Sequence, residues 1–571
     1  MNQHIERRVR RGWPFSAVSA FLFVGALTLG AQSSPAPASS EWRSYAGDLR
    51  NHHYSPLGQI TAENFSSLEV AWRFKTDSLG PRPEYKLEGT PLMVNGVLYT
   101  TAGTRRSVVA LDAATGELRW VHAELEGGTP RTHNNTKGMV RGFDVRTGKR
   151  LWTFNTIPRP GEFGNDTWLN ESWAVNGNVG VWNQIAVDED LGLAYLPVET
   201  PSSDFYGGLR PGNNLFAESI VAIDYRTGVR RWHFQLVHHP IWNMDIAAAP
   251  ILVDLTVGGQ GVTLENLIDF TPALHAEALT IAARYKLGPI FTPPPVSKRE
   301  GPIGGFRSSG GTNWPGGSFD PETHIAYVPS FTAMPVLGLL PPPNKEFSDL
   351  PYVSGNALTG VRYISGPGEN VGADARAAPS GRGGAPLSST GDSATNANAR
   401  PQGLPLLKPP YGRITAINLD RGEIVWQVPH GETPDSVRNH PALTGLTIPR
   451  TGQSGAVGAL VTKTLVIAGD PLATTGANRP RGAMLHAYDK SSGKEVGAVY
   501  MPAPQSGTPM TYALNGRQYI VVPISGGSYS GEYLAFALPA RTFSQTVVPE
   551  PNEGHIIGSG ITRVSKWSRG R

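Results

Sequence analysis

The residues LDAATGELRW (111–120) carry a pattern that recurs along this 571-residue chain. An apolar strand ends in Asp112, two residues follow, then Thr115 and Gly116, and Trp120 comes four residues after the glycine. This pattern predicts a β-hairpin, because an Asp side chain accepts hydrogen bonds from turn amides and Gly adopts positive φ without steric cost. Trp then falls at a fixed place on the return strand, where it can wedge between neighbouring sheets.

Four further copies of the hairpin pattern follow. They are Asp144, Thr147, Gly148 and Trp152; Asp224, Thr227, Gly228 and Trp232; Asn418, Arg421, Gly422 and Trp426; and Asp489, Ser492 and Gly493, with Gly497 in place of Trp. Other segments read as strands of the same kind: GVLYTT (96–101), LGLAYLP (191–197), HIAYVP (324–329), TLVIAG (464–469) and QYIVVPI (518–524). Repeats of roughly 40–50 residues made of short strands predict an all-β β-propeller. The alternatives, a sandwich or a barrel, do not explain a repeat marked by Trp.

The composition agrees with a turn-rich β fold. The chain has 67 Gly and 49 Pro, and helix interiors tolerate neither residue well. One capped helix is predicted from Thr271 and Pro272 to Tyr285, closed by Gly288. Residues 366–410 are rich in Gly, Pro, Ala and Ser and predict a mobile loop. Because the chain has no cysteine, disulfides, thiolate metal sites and CxxCH haem attachment are excluded.

Charge and targeting signals lie at the two ends of the chain. The formal net charge is +4, but basic residues gather in residues 1–31 and, from Arg563 onward, in the tail 546–571, so no basic face predicts nucleic-acid binding. Four Arg precede an apolar run over residues 15–30, and small residues follow it. This order predicts a signal peptide over 1–31 and a periplasmic protein folded over 41–545. The alternative is an uncleaved N-terminus that associates with the membrane.

Several long motifs resemble the pyrroloquinoline quinone (PQQ)-dependent dehydrogenases, closest to the branch of membrane-type glucose dehydrogenases and alcohol dehydrogenases. They keep the family's order over about residues 42–540: WRSYAGDLRNHHYSPLGQITAENFSSLEVAWRF (42–74), LEGTPLMVNGVLYTT (87–101), VRGFDVRTGKRLW (140–152), LVHHPIWNMD (236–245) and GTPMTYALNGRQYIVV (507–522). The resemblance implies an eight-bladed propeller with PQQ on its axis beside Ca²⁺ or a lanthanide. It also implies oxidation of a sugar or alcohol, in which a carboxylate base takes the hydroxyl proton and hydride passes to the quinone.

The resemblance assigns cofactor contacts to four residues. Trp182, in GVWNQIAVD, stands where the family has the floor under the PQQ ring; the alternative is a Trp packed between blades. Glu88, in LEGTP, stands where the family has a PQQ-contacting Glu; the alternative is a solvated or turn-bonding Glu. Asn313 and Trp314, in GGTNWPGG, match a further contact motif, although Trp314 fits blade packing equally well.

A second group of residues concerns the metal and the cofactor rim. Thr200, in VETP, stands where the glucose dehydrogenase branch supplies a metal ligand. Arg105 and Arg106 lie near a loop that is close to PQQ in the family. His238 and His239 are expected to be structural, because nothing else in the sequence completes a metal triad with them.

The chain departs from the family at the catalytic motif. The family carries its base on the first Asp of a WDxD motif, whereas this chain has Trp242, Asn243, Met244 and Asp245. A carboxamide does not accept a proton as a carboxylate does, but Asn243 can ligate a metal through its oxygen. Residues i and i+2 of an extended strand face the same side. Asp245 is therefore the candidate surrogate base and, with Thr200 and Asn243, a candidate metal ligand.

Two stretches of the family pattern are missing. Asp112 and Asp144 are only 32 residues apart, which is too short for a blade of roughly 40–50 residues. The first gap falls between HAELEGG (122–128) and TPRTHNNTKG (129–138), and the second falls near 259–262. One or two blades are therefore expected to be missing or incomplete, together with several side chains that contact the cofactor in the family.

Two functions remain open from the sequence. One is a PQQ-dependent sugar or alcohol dehydrogenase that passes electrons to a quinone or a separate cytochrome, because the chain has no haem attachment site. The other is a non-catalytic propeller that binds or assembles other molecules in the periplasm, which Asn243 and the two gaps favour. A hydrolase is disfavoured, because the sequence contains no GxSxG, HExxH or P-loop motif.

Overall fold

The computed structural model describes most of residues 40–539. The residues in that range that it does not describe are 81, 105–106, 123–136, 145–146, 148, 245, 247, 249–262, 289–290, 307–310, 334–335, 346–347, 359, 362–398 and 477. The predicted signal peptide (1–31) and C-terminal tail (546–571) lie outside the described residues. Within the described part of the chain, none of the helices has the length and apolar character needed to span a bilayer.

The described residues form mostly strands. In chain order the strands are β1 (Glu69–Lys75), β2 (Leu92–Val94), β3 (Val97–Ala102), β4 (Ser107–Asp112), β5 (Leu118–His122), β6 (Met139–Phe143), β7 (Arg150–Asn155), β8 (Ala186–Asp188), β9 (Leu193–Val198), β10 (Ser219–Asp224), β11 (Arg230–Gln235), β12 (Gly305–Phe306), β13 (Ser318–Asp320), β14 (Ile325–Phe331), β15 (Val336–Leu340), β16 (Val353–Asn356), β17 (Gly360–Val361), β18 (Gly412–Asn418), β19 (Glu423–Pro429), β20 (Leu460–Val461), β21 (Leu465–Gly469), β22 (Thr474–Gly476), β23 (Arg479–Asp489), β24 (Glu495–Met501), β25 (Met510–Leu514), β26 (Arg517–Gly526) and β27 (Tyr529–Ala537). The α helices are α1 (Pro272–Ala282) and α2 (Asp435–Arg438). Short 3-10 helices cover Phe65–Ser67, Asn165–Thr167, Leu169–Ala174, Leu264–Asn266, Pro401–Gly403 and Pro441–Leu443.

The strands form a series of antiparallel sheets along the chain, as predicted for a propeller. Strands β2–β5 form one four-stranded sheet, β8–β11 another, and β20–β24 a five-stranded sheet. The sheet β13-β14-β18-β19 has a second sheet, β12-β15-β16-β17, interleaved with it along the chain. Strand β1 pairs with β27 of the C-terminal strands β25–β27, so the two ends of the folded chain close one sheet. The prediction of an all-β propeller is confirmed.

The turns have the chemistry that the repeat predicts. Asp112 Oδ1 accepts hydrogen bonds from the backbone amides of Ala114 (2.9 Å) and Thr115 (3.0 Å). Gly116, the fifth residue of this turn, has a φ of +72°, which Gly adopts without strain. Equivalent bonds to the Asp or Asn side chain form in the other four copies, at Asp144, Asp224, Asn418 and Asp489.

Three Trp side chains join one sheet to the next, and we call this contact the Trp latch. Each indole N–H donates to the carbonyl directly after the turn's Asp in the following sheet: Trp72 to Ala113 (3.2 Å), Trp152 to Tyr225 (3.1 Å) and Trp426 to Lys490 (2.9 Å). The turn's Gly lies against the ring, and a Cβ on Gly493 would lie 2.6 Å from Trp426. The glycine therefore serves both the turn and the contact between sheets.

Two Trp of the repeat differ from the latched ones in their exposure. Trp72 and Trp426 are 6% and 9% exposed, whereas Trp120 and Trp232 are 47% and 43% exposed. In the described part of the chain neither of their indole N–H groups makes a hydrogen bond. Trp120 precedes the first predicted gap and Trp232 the second. The strands after Trp120, β6 and β7, form a sheet of only two described strands.

The predicted helix and loop are found in part. Helix α1 begins at Pro272 with Thr271 as its N-cap, as predicted, and ends at Ala282, before Tyr285. The predicted mobile loop over 366–410 ends earlier, because residues 399–410 pack on the core. Leu404 and Leu406 are buried in a hydrophobic cluster with residues of α1. The remainder of that loop, 366–398, lies outside the described residues.

A buried ionic cluster lies between β21, β23 and β24. His486 is 1% exposed and lies 3.1 Å from Asp470 and 3.2 Å from Glu495. Burial opposes the charge of His486, but the hydrogen bonds to the two carboxylates outweigh it and raise its pKa to about 9. Neighbouring His430 has a pKa lowered to about 4 by burial and donates through Nε2 to Gly469 O. The core therefore holds one charged and one neutral imidazole.

We expect Trp426→Ala to lower the free energy of unfolding by about 3–5 kcal/mol, because it empties a buried site and removes a latch. Trp232→Ala is the matched control and should cost less than about 1 kcal/mol, because its ring is half exposed and not latched. Urea unfolding measures both values. Equal losses in the two variants would contradict the latch.

We expect the stability that His486 contributes to be lost at alkaline pH. Its pKa is raised in the folded state, so its contribution is complete below its ordinary value of 6.5 and disappears as pH rises through about 9. His486→Gln should therefore flatten the fall in unfolding free energy between pH 6.5 and 9. The measurement is urea unfolding at several pH values, and parallel curves for the two proteins would refute the assignment.

Candidate active site

The loop that carries Trp182 is fixed by the strand end that carries Thr200. Asn178 Nδ2 donates to Thr200 O (2.9 Å), and Gly180 N donates to Glu199 Oε1 (2.8 Å). Trp182 itself is 44% exposed, although Val179 and Asn183 of the same loop are buried. A flat ring left accessible by a firmly held loop suits the role of a floor for a planar cofactor.

The two Trp motifs predicted to contact the cofactor meet in the structure. Asn183, directly after Trp182, donates through Nδ2 to Trp314 O at 3.5 Å. The backbone amide of Trp314 in turn donates to Asn313 Oδ1 at 2.7 Å. Segments more than 120 residues apart are thus brought side by side, as the resemblance implies for a cofactor pocket.

Thr200 and the Asn243 segment meet at a buried glutamate, Glu218. Thr200 Oγ1 donates to Glu218 Oε1, and Met244 N donates to the same oxygen at 3.2 Å. Thr200 and Glu218 are each 1% exposed. Glu218 has a φ of +41°, a left-handed conformation that is costly for a residue with a side chain and is often found at functional sites.

Asn243 is held by a second carboxylate. Its Nδ2 donates to Asp204 Oδ2 at 3.1 Å, and its own φ is +47°. Asn tolerates this left-handed conformation better than most residues. We use the name oxygen cluster for Thr200, Asp204, Glu218 and Asn243. Two of the three predicted metal ligands lie in it; the third, Asp245, lies outside the described residues.

Arg210 ties the loops of the oxygen cluster together. Its side chain is fully buried, and its guanidinium donates to the carbonyls of Ser202, Ser203 and Pro240 and to Asn214 Oδ1. Burial lowers the pKa of Arg210 to about 10, while Asp204 and Glu218 act in the opposite direction. The group remains charged at neutral pH and joins the segment before Asp204 to the segment before Asn243.

The other predicted site residues lie elsewhere or outside the described residues. Glu88 forms an ion pair with Lys86 (2.9 Å), and within the described residues no hydrogen bond or ion pair joins it to the oxygen cluster. Arg105 and Arg106 lie outside the described residues. His239 places its Nδ1 2.9 Å from Gly212 O, which agrees with the structural role expected for it.

Sequence reasoning missed Asp204, Arg210 and Glu218. All three lie in SSDFYGGLRPGNNLFAES (202–219), a turn-rich segment between β9 and the start of β10. Charged residues in such a segment resemble ordinary solvated loop residues. One feature of the sequence could have indicated them: three charged residues, an Asp, an Arg and a Glu, lie in this segment between the candidate ligands Thr200 and Asn243.

The oxygen cluster has the donor chemistry of a hard cation. Hydroxyl, carboxamide and carboxylate oxygens are the groups that Ca²⁺ prefers. In the described part of the chain, no three His, Asp or Glu side chains gather as a metal-holding group. A cation here would therefore depend on the neutral oxygens of Thr200 and Asn243 in addition to carboxylates.

Comparison with known proteins identifies the family of this chain. The family model "Glucose/ethanol/alcohol dehydrogenase, beta-propeller domain", of the PQQ type, matches residues 42–134, 127–264 and 259–520. The chain belongs to this PQQ β-propeller family. The quinoprotein glucose dehydrogenase of Escherichia coli (strain K12) is 26% identical, over 90% of this chain and 81% of that protein. The glycerol dehydrogenase large subunit of Gluconobacter oxydans (strain 621H) is 25% identical, over 89% and 86%.

Solved structures agree on the fold of this PQQ-family chain. The quinohemoprotein alcohol dehydrogenase from Pseudomonas putida HK5 superposes with a TM-score of 0.56 at 19% identity, covering 90% of this chain and 82% of that one. The enzyme from Comamonas testosteroni gives 0.54 at 19% identity, covering 92% and 84%. At this identity the likeness concerns the fold alone.

The family match also locates the two predicted gaps. Its three pieces meet at residues 127–134 and 259–264, where the sequence predicted the missing stretches. The alignment with the Escherichia coli protein extends over 678 positions, more than the whole of this chain. The relative therefore has residues that this chain lacks.

We expect Arg210→Lys to lower the free energy of unfolding by about 2–3 kcal/mol. Lysine keeps the charge but cannot reproduce the guanidinium's four hydrogen bonds in one plane, and buried carbonyls would lose their partner. Arg421→Lys is the control, because the side chain of Arg421 is exposed and, among the described residues, forms an ion pair with Glu423 alone. Chemical unfolding measures the free energy of unfolding of both variants. If Arg210→Lys lost as little stability as Arg421→Lys, Arg210 would not hold these loops together.

Proposed function

We propose that this protein is a PQQ-dependent dehydrogenase that oxidises a hydroxyl group of a sugar or an alcohol. The observation that carries the proposal is the meeting of the Trp182, Thr200, Trp314 and Asn243 segments in a chain of the PQQ family. The relatives named as glucose, glycerol and alcohol dehydrogenases support the substrate class.

The roles proposed for the residues follow from their chemistry. When bound, PQQ supplies a planar quinone that accepts hydride, and Ca²⁺ or a lanthanide beside it supplies Lewis acidity. Trp182 provides the floor for a planar ring, and Asn313 and Trp314 a further contact. Thr200 and Asn243 provide neutral oxygen ligands for the cation. Glu88, Arg105 and Arg106 remain proposed contacts at the cofactor's rim.

The proton acceptor differs from that of the family motif. Asn243 does not act as a base, because a carboxamide has no basic group at neutral pH. Asp245 stands two residues later and is proposed as the surrogate base or as a metal ligand. A slow enzyme is therefore expected, since general-base catalysis typically contributes 10²–10⁴-fold to the rate.

The N-terminal sequence supports the proposed location, and the absence of cysteine supports the proposed electron acceptor. The basic, apolar and small-residue order of residues 1–31 supports export to the periplasm. Without a CxxCH motif the chain carries no covalent haem. We therefore propose a quinone or a separate cytochrome as the acceptor of the electrons.

The second candidate function is a non-catalytic binding or assembly module. It is favoured by Asn243 in the base position and by the two places where the family match breaks. A propeller that binds PQQ without turning over substrate, even after Asn243→Asp, would support this function over the enzyme.

We expect PQQ with Ca²⁺ or La³⁺ to quench the tryptophan fluorescence of the purified protein, and the reconstituted protein to reduce a dye with glucose, glycerol or simple alcohols. Asn243→Asp should raise the rate about 10²-fold or more, because it restores a carboxylate at the family's base position.

Trp182→Ala should abolish the quenching, because the floor under the ring is lost. Trp232→Ala is the matched control, since the two side chains are 44% and 43% exposed and Trp232 lies outside the site. No quenching in the unmodified protein, or equal quenching in the two variants, would refute PQQ binding at Trp182.

A further inference from the structure

We propose that Asp204 and Glu218 are positioning residues, which take up the hydrogen-bond donors of Asn243 and Thr200 and so turn the oxygens of these two side chains toward a bound hard cation. The inference rests on the proposed function, because it concerns the same site. It adds two residues that neither the sequence nor the family resemblance singled out.

The first step concerns the orientation of Asn243. A carboxamide presents an oxygen on one side and an NH₂ group on the other, and the two ends are nearly identical in shape. An ionised carboxylate only accepts hydrogen bonds, so Asp204 selects the NH₂ end. The structure has this pair, with Asn243 Nδ2 3.1 Å from Asp204 Oδ2. The carboxamide oxygen is consequently on the side away from Asp204.

The second step concerns Thr200. A hydroxyl has a single proton and two lone pairs. A hydroxyl whose proton points toward a cation repels that cation. Here Thr200 Oγ1 donates that proton to Glu218 Oε1, so the proton points toward the carboxylate and the lone pairs point to other sides of the oxygen. Met244 N donates to the same carboxylate oxygen at 3.2 Å and fixes its position relative to the Asn243 segment.

The third step is that the two carboxylates are held and cannot easily turn away. Glu218 is 1% exposed, its backbone amide donates to Glu199 O directly after β9, and its carbonyl accepts from Leu236 N directly after β11. Arg210 fixes the carbonyls of Ser202 and Ser203 just before Asp204. Groups that orient metal ligands in this way typically change metal affinity by 10–100-fold when mutated.

The test is cation binding, measured separately from turnover. Titration calorimetry with Ca²⁺ and La³⁺ is performed on the protein with and without PQQ, for the unmodified chain, Asp204→Asn and Glu218→Gln. We expect both variants to bind the cation 10–100-fold more weakly, with far-ultraviolet circular dichroism unchanged.

Matched controls come from equivalent pairs outside the site. Asn155 Nδ2 donates to Glu162 Oε1 at 2.9 Å, and Thr61 Oγ1 donates to Glu63 Oε2 at 2.6 Å. Glu162→Gln and Glu63→Gln remove the same charge from the same kinds of pair. They should leave cation affinity unchanged.

A reciprocal exchange separates orientation from folding. In Asp204→Asn with Asn243→Asp, the amide of residue 204 donates to the carboxylate of residue 243, and the net charge equals that of the unmodified chain. We expect this double variant to recover the affinity lost by Asp204→Asn alone. A double variant that stays as weak as the single one would overturn the role of Asp204.

The remaining outcomes are distinct for the two proposals. Unchanged cation affinity in both single variants overturns the inference and leaves the proposed function standing. If the unmodified chain binds neither cation under either condition, the inference also fails. The quenching of tryptophan fluorescence by PQQ then decides the proposed function by itself.

Discussion

The fold depends on the hydrogen bond between an indole N–H on one sheet and a turn carbonyl on the next. The bond itself is modest, about 1 kcal/mol, but it places a large ring over a glycine that has no side chain to resist it. The Asp that precedes the carbonyl holds the turn in shape through its own amide contacts. One short pattern therefore specifies the hairpin, its register and its attachment to a neighbour.

The same requirement accounts for the exposure of two Trp side chains near the two gaps. A latch needs a donor on one sheet and a turn on the following sheet. Trp120 and Trp232 are half exposed, and the family match breaks soon after each of them, at 127–134 and 259–264. The exposed rings mark, in the structure, the places where the sequence comparison finds that residues are lacking.

The hairpins could be predicted from the sequence, because each depends on residues within ten positions of one another. The strand at 518–524 and the start of α1 at Pro272 were found for this reason. The oxygen cluster could not, because Glu218 reaches Thr200 and Met244 only through tertiary folding. Residues 399–410 were misjudged in a similar way: two leucines, Leu404 and Leu406, are enough to bury a segment that is otherwise rich in turn-forming residues.

The exchange of a carboxylate for a carboxamide at position 243 is best understood with its neighbours. In isolation Asn243 removes a negative charge and a base from the site. In the structure a carboxylate, Asp204, lies against that carboxamide, and a second one, Glu218, lies against Thr200. Negative charge therefore remains near the two proposed ligands, Thr200 and Asn243, although it lies one hydrogen bond away from position 243. Under the proposed roles, cation binding and proton removal are consequently separable in this chain. A carboxylate that helps to hold a cation at this site does not thereby act as the base that removes the substrate's proton.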